Sequence, residues 1–168
     1  MIVKDTFLGL AGLDWALLGG GLAAILGGIG SAWGIAIASA TISGIVAEDS
    51  EKFGKLLPLA AMPGTQGIYG FIAAVLVLIF FNILGGTSTL TAPQGFKVFL
   101  ACMPVAWACC VSAVYQGLTG ASAAGIVARR GEDSGKALIF PALVETYAVI
   151  SLIVTILMLL SLRATFGA

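Results

Sequence analysis

Four long apolar runs dominate the pattern of hydrophobic and polar positions along the chain. They cover residues 15–46, 56–84, 98–127 and 137–162. Each run is longer than the ~20 residues that an α-helix needs to cross the hydrocarbon core of a bilayer. The pattern therefore predicts an all-α membrane protein with four transmembrane helices, several of which extend beyond the lipid.

The four runs are two copies of one pattern. The stretch SGIVAEDSEKFGKLL at 43–57 aligns with AGIVARRGEDSGKAL at 124–138, so the copies are offset by 81 residues. Because each copy crosses the membrane twice, both copies have the same orientation. We expect two tandem, parallel-oriented hairpins, at residues 1–84 and 98–168, joined by an extracytoplasmic connection at 85–97.

The first helix of each hairpin carries small residues at four-residue spacing. They are Ala36, Ala40 and Gly44 in helix one, extended by Ala23, Gly27 and Ser31, and Gly117, Ala121 and Gly125 in helix three. Such faces let helices approach closely in lipid, and a generic packing face is one interpretation. If many copies form a ring, the inner circle is the smaller one, so the thin helices one and three would line it.

Composition agrees with a membrane protein and excludes other classes. The chain is 60% hydrophobic and 10% charged, with a mean hydropathy of +1.10, whereas a soluble domain needs a more charged surface. Equal numbers of basic and acidic residues offer no basic patch for nucleic acid. Without histidine, an imidazole metal site is excluded. Cys102, Cys109 and Cys110 lack metal-site spacing and are expected to pack as small apolar residues.

The basic residues predict the orientation. Five lie in the two connections within the hairpins: Lys52, Lys55, Arg129, Arg130 and Lys136. Three lie at the opposite ends: Lys4, Lys97 and Arg163. The positive-inside rule then places residues 47–55 and 128–136 in the cytoplasm of a multi-pass cell-membrane protein, and both termini outside. The first apolar run is too long for the core of a signal peptide, so helix one is expected to remain in the mature protein.

One carboxylate interrupts the fourth apolar run. Glu145 lies inside residues 137–162, where no other charge occurs. A charged side chain at the centre of a bilayer costs about 2.5–3.5 kcal/mol on insertion scales, so an ionisable group there indicates function. Its counterpart in the first copy, 81 residues earlier, is Gly64. Only the second hairpin therefore carries the charge.

Helix two supplies polar groups that could satisfy this carboxylate. Met62, Thr65, Gln66 and Tyr69 fall at i, i+3, i+4 and i+7, which is one face of a helix. Pro63 has no N–H and disturbs the preceding turn, so a backbone carbonyl near Met62 or Leu59 is expected to leave the helical ladder. The Tyr69 phenol is better suited to hydrogen-bond the Glu145 carboxylate than to bind an ion.

The polar groups lie at similar depths. At 1.5 Å per residue from the charged connections, Glu145 is about 13 Å deep, Gln66 about 16 Å, and Gln116 on helix three about 20 Å. A hydroxyl, two amide oxygens, a carboxylate and a loosened carbonyl suit a small hard cation such as Na⁺, whereas a proton needs only the carboxylate. Alternatively, Thr65, Gln66 and Gln116 are interhelical hydrogen-bonding groups without an ion.

These motifs resemble a known family. The doubled hairpin, PGTQGIYGF on helix two, YQG and AAGIVA on helix three, and LVETYAV on helix four are similar to the proteolipid (c or K) subunit of V-type and archaeal-type rotary ATPases. The resemblance implies a homo-oligomeric rotor ring in membrane lipid, turned by ATP hydrolysis in a soluble head. It also implies a stator subunit with an essential arginine and central-stalk subunits at the cytoplasmic connections. The chain itself would not be catalytic.

The resemblance also implies a site. In sodium-translocating members, a backbone carbonyl, a threonine, two glutamines and a glutamate hold the ion; the matching residues are Met62, Thr65, Gln66, Gln116 and Glu145, with Tyr69 matching the tyrosine that orients the carboxylate. Na⁺ is thus the expected transported ion. A proton-translocating ring of the same family and a small four-helix proton-coupled exporter are the alternatives.

Overall fold

The structure is a computed structural model that describes residues 6–167, and over that range it is built from helices and turns. The helices are α1 (Gly12–Glu48), α2 (Phe53–Ala61), α3 (Thr65–Phe80), α4 (Ala92–Arg129), α5 (Ser134–Ala137) and α6 (Ile139–Phe166), with short 3₁₀ turns at Ser50–Lys52, Met62–Gly64 and Gly131–Asp133. Four spans of this range are long and apolar enough to cross a membrane: Gly12–Glu48, Ser50–Phe80, Ala92–Arg129 and Gly131–Phe166. Lys4, which entered the charge comparison, lies outside the described residues.

The ends of the helices differ from the apolar pattern at the junction between the hairpins. α3 ends at Phe80 rather than near residue 84, and Asn82 takes a left-handed conformation with φ of 52° that a helix does not tolerate. α4 begins at Ala92, inside the connection expected at 85–97. A capping interaction explains the earlier start, because the Thr91 N–H donates to Oε1 of Gln94 at 2.9 Å.

Close contact between α1 and α4 sets the geometry of the bundle. A methyl group added to Gly19 would lie 2.7 Å from the Cα of Phe99, and one added to Gly30 would lie 2.5 Å from the carbonyl oxygen of Cys110. Only glycine allows two backbones to approach so closely. Both pairs are separated by about 80 residues, close to the repeat offset. The first helices of the two hairpins therefore run parallel, with equivalent residues at nearly equal depth.

α4 is the central helix of the bundle. It packs along α1 on one side and α6 on another, while α3 contacts both α1 and α6. Cys102 and Cys109 are buried among alanine and valine side chains of this core, and all three cysteines are free. The expected packing role of the cysteines is thus consistent with their positions.

The two charged connections lie together at one end of the bundle. Nζ of Lys52 donates to the carbonyl of Ala128 at 2.8 Å and pairs with the carboxylate of Asp49 at 3.0 Å. The hydrogen bond from Lys52 holds the pKa of the Asp49 carboxyl below its usual value. This contact across 76 residues joins the hairpins at the same side, as two parallel hairpins require.

Candidate functional site

A break in the second membrane span positions the candidate site. Pro63 cannot donate a hydrogen bond to the carbonyl of Leu59, and the chain passes through the 3₁₀ turn Met62–Gly64 before α3 begins at Thr65. The Leu59 carbonyl instead faces α4, where a methyl group on Gly120 would lie 2.8 Å from it. The Met62 carbonyl accepts from the backbone N–H and, at 2.9 Å, from the hydroxyl of Thr65. Of the two carbonyls considered in the sequence, Met62 therefore lies beside the polar side chains.

Three helices contribute to one connected group of polar side chains. Nε2 of Gln66 on α3 donates to Oε1 of Gln116 on α4 at 2.6 Å. Nε2 of Gln116 donates in turn to Oε2 of Glu145 on α6 at 3.2 Å and to the Pro141 carbonyl at 3.1 Å. The Tyr69 hydroxyl donates to the other carboxylate oxygen, Oε1 of Glu145, at 2.7 Å. Both oxygens of the carboxylate thus have a donor from another helix.

Burial differs across the group in a way that leaves one side open. Gln66 and Gln116 have no exposed surface, whereas Thr65, Tyr69 and Glu145 are half-buried at the outer surface of the bundle. Buried amides must satisfy several hydrogen-bonding atoms, and here each amide uses the other as a partner. The inner side of the group is therefore buried and hydrogen-bonded, whereas its outer side is partly exposed.

Oxygen atoms converge near Thr65. Its Oγ1 lies 2.9 Å from the Met62 carbonyl oxygen and 3.3 Å from Oε1 of Gln66. In the described part of the chain, no three His, Cys, Asp or Glu side chains are grouped to hold a metal ion. Any cation at this place would be held mainly by neutral oxygens and one carboxylate. That donor set suits a hard monovalent cation better than a transition metal.

The positions that match the site at the 81-residue offset lack its polar centre. At the 81-residue offset, Thr146 matches Thr65, and its hydroxyl donates to the Leu143 carbonyl at 2.7 Å just as Thr65 does to Met62. Gln116 is matched by Ile35 and Glu145 by Gly64. A methyl group on Gly64 would lie 3.4 Å from Cδ1 of Ile35, so apolar atoms fill the place of the carboxylate. Within residues 6–167, this polar site is therefore formed once and not twice.

One residue at the site was not singled out as functional in the sequence. The Gly67 N–H, in the first turn of α3, donates to Oγ of Ser31 on α1 at 2.7 Å. The sequence pattern counted Ser31 only as a small packing residue. A usable signal was present, because Ser31 is the first hydroxyl-bearing side chain of α1, and a hydroxyl within an apolar span needs a hydrogen-bond partner.

Comparisons with known proteins agree with the repeat. The family model that describes the C subunit of ATP synthase matches the chain twice, over residues 18–77 and 99–158, and both ends of the match repeat the 81-residue offset. The chain is 36% identical over 150 residues to the V-type sodium ATPase subunit K of Enterococcus hirae, with 89% of this chain and 93% of that protein covered. It is 37% identical over 142 residues to the A-type ATP synthase subunit K of Methanocaldococcus jannaschii, with 84% and 60% covered.

Proposed function

Because the chain belongs to the family of the ATP synthase C subunit, with two repeats of its model, we propose that it is the Na⁺-carrying ring subunit of a V-type ATPase, with Glu145 as the ion carrier. The chain is a multi-pass membrane protein and a non-catalytic rotor subunit of an ATPase. The observation that carries the proposal is the polar network that joins Gln66, Gln116, Tyr69 and Glu145 across three helices.

Na⁺ is the proposed transported ion because the network contains more oxygen atoms able to bind a cation than a proton needs. Met62 contributes its carbonyl, Thr65 a hydroxyl, Gln66 and Gln116 amide oxygens, and Glu145 its carboxylate. The similarity to the V-type sodium ATPase subunit K of Enterococcus hirae also favours Na⁺. A proton ring of the same family remains the alternative, in which Thr65 and the two glutamines serve only as interhelical hydrogen-bonding groups.

Charge neutralisation explains how such a site transports an ion. With Na⁺ bound, Glu145 carries no net charge and passes through lipid at low cost as the ring turns. Where the carboxylate faces the arginine of a stator subunit, it forms an ion pair with the arginine and releases Na⁺ to one side of the membrane. It then binds a new Na⁺ from the other side. With the ion bound, the Tyr69 hydroxyl is hydrogen-bonded to one carboxylate oxygen. The oxygen atoms contributed by α3 and α4 complete the coordination of the ion. ATP hydrolysis in the soluble head drives the rotation.

A small four-helix exporter is the less favoured function. An exporter would need a pocket for its substrate beside the glutamate, whereas here the Glu145 carboxylate accepts hydrogen bonds from Tyr69 and Gln116. The parallel repeat and the match to rotor subunits along most of the chain also favour the ring.

Na⁺ should activate ATP hydrolysis by the complete complex. Hydrolysis is coupled to rotation, and a ring whose carboxylates are empty and charged cannot pass through lipid. We expect the initial hydrolysis rate at neutral to alkaline pH to rise several-fold with added NaCl but not with KCl or choline chloride at equal ionic strength. A rate that is independent of Na⁺ over the same range, in a complex still sensitive to an inhibitor of the ring, would favour the proton ring.

The charged connections are proposed to face the cytoplasm and contact the central stalk. A cysteine in place of Ser50 or Ser134 should react with an impermeant maleimide in inverted membrane vesicles but not in intact cells, because the basic residues of these connections are retained inside. Thr87→Cys, at the exposed opposite end of the bundle, is the matched control and should react from the outside. Labelling of the Ser50 and Ser134 positions from the outside alone would reverse the orientation.

A further inference from the structure

α1 contacts the break in the second span at a site of close backbone approach. A methyl group on Gly27 would lie 2.7 Å from the carbonyl oxygen of Gln66, and one on Gly34 would lie 2.8 Å from Cβ of Pro63. Ser31 lies between these two glycines, one turn from each, and is 6% exposed. α1 is therefore seated against the segment that carries Gln66.

The Ser31 hydroxyl completes the first turn of α3. The N–H groups in the first turn of a helix have no acceptor within that helix. At the start of α3 the Thr65 N–H donates a hydrogen bond to the Met62 carbonyl, and the Gly67 N–H donates to Oγ of Ser31 at 2.7 Å. A side chain of another helix thus performs the role that an N-cap residue usually has.

We propose that Ser31 is a positioning residue for cation binding, a role that rests on the proposed function of the site. Gly67 follows Gln66 directly, and Gln66 donates to Gln116, which donates to Glu145. By holding the Gly67 amide, Ser31 keeps the first turn of α3 in register with α4 and α6. Its hydroxyl is hydrogen-bonded to the Gly67 N–H and not to Glu145, Tyr69 or Gln116, so it acts on the cation through the backbone of α3.

The effect is selective for a metal ion over a proton. A cation needs Thr65 and Gln66 to remain at fixed distances from Glu145, whereas a proton needs only the carboxylate. Loss of the Ser31 hydroxyl removes the acceptor of the part-buried Gly67 N–H and lets the turn move, which weakens the cation-binding site. Na⁺ affinity should fall while the protonation of Glu145 is preserved.

The test compares Ser31→Ala with Ser112→Ala in detergent-purified rings. Ser112 is equally buried, at 6% exposure, but its hydroxyl donates to the Cys109 carbonyl of its own helix. The readout is modification of Glu145 by a carbodiimide that reacts with the protonated acid, followed by mass spectrometry across NaCl concentrations and pH. Ser31→Ala should raise the NaCl concentration for half-protection on the order of tenfold, which corresponds to about 1.4 kcal/mol. Ser112→Ala should change it less than about twofold, and the pH profile without Na⁺ should be the same in all three rings.

Two outcomes overturn the role of Ser31 in different ways. If Na⁺ protects the unmodified ring and the Ser31→Ala ring equally, the positioning role is wrong and the proposed Na⁺ function stands. If Na⁺ protects neither ring, the Na⁺ function fails and the positioning role fails with it. Should Ser31→Ala prevent assembly, Ser31→Cys keeps the volume with a weaker acceptor and should give an intermediate shift; a wild-type protection curve for that variant would also overturn the proposal.

Discussion

Replacing Glu145 by glutamine is expected to abolish ion transport in a complex whose ring still assembles. Glutamine is nearly isosteric with glutamate, and its amide oxygen can still accept from Tyr69 or Gln116. The amide carries no charge to be neutralised by a cation or to pair with a stator arginine. Each subunit then has no ion to deliver, and the first hairpin offers no substitute because its counterpart position is Gly64.

ATP-driven ²²Na⁺ uptake into proteoliposomes measures the effect, with the mass of the purified ring as the test of assembly. We expect uptake at background with Glu145→Gln, a loss of at least about 100-fold, and a ring mass equal to that of the unmodified protein. Asp14→Asn is the matched control, since it makes the same acid-to-amide change at an exposed carboxylate far from the site, which accepts from the Ala11 N–H at 3.0 Å. Coupled uptake by an assembled Glu145→Gln ring would refute the carrier role.

Removing a single neutral oxygen donor is expected to weaken Na⁺ binding without removing the acid. Na⁺ and H⁺ compete for the Glu145 carboxylate, so Na⁺ should protect it from a carbodiimide that attacks the protonated form. The protection should weaken as the pH falls, because protons then displace the metal ion. In Thr65→Ala or Gln116→Ala, the NaCl concentration for half-protection should rise at least about tenfold, since an interaction with a charged group contributes about 1.5–3 kcal/mol.

Thr146→Ala is the matched control for this second prediction. Its hydroxyl makes the same contact with a carbonyl three residues earlier, but at the 81-residue offset the positions that match Gln116 and Glu145 are Ile35 and Gly64, which offer neither an amide nor a carboxylate side chain. Its protection curve should match that of the unmodified ring. If Thr65, Gln66 and Gln116 only join helices, their substitution should instead loosen the ring. Labelling of the unmodified ring that is identical with and without Na⁺ at every pH would leave a proton rotor.

The single carrier carboxylate per subunit has a consequence for the proposed rotor. The apolar runs of the four spans carry one carboxylate between them, so a ring of a given size holds fewer ions than one built from two-span subunits that each carry a carboxylate. Moving one elementary charge across 100 mV takes about 2.3 kcal/mol. Fewer ions per turn leave more of the free energy of ATP hydrolysis for each ion. The proposed complex would therefore work against a steeper gradient, as suits a pump.

Much of the fold followed from local pattern. The four spans, the 81-residue repeat and the position of Glu145 could all be read from the order of residues, because a bilayer requires about 20 consecutive apolar positions and makes each charged exception conspicuous. The start of α4 was placed too late since the apolar run begins at residue 98, whereas the helix begins at Ala92, where Thr91 and Gln94 cap it. That signal lies in hydrogen-bonding side chains rather than in hydropathy.

By itself the sequence determined which polar residues lie at similar depth: Thr65 and Gln66 on the second span, Gln116 on the third and Glu145 on the fourth. Depth follows from counting residues along straight helices. Only the tertiary structure decided the partners, such as Gln66 with Gln116, Tyr69 with Glu145, and Ser31 with the Gly67 amide. The choice of partners depends on how far each helix is rotated and how closely it approaches its neighbours. Both are set by contacts between helices, such as Gly30 against Cys110. The periodicity of residues within a single helix does not reveal such contacts.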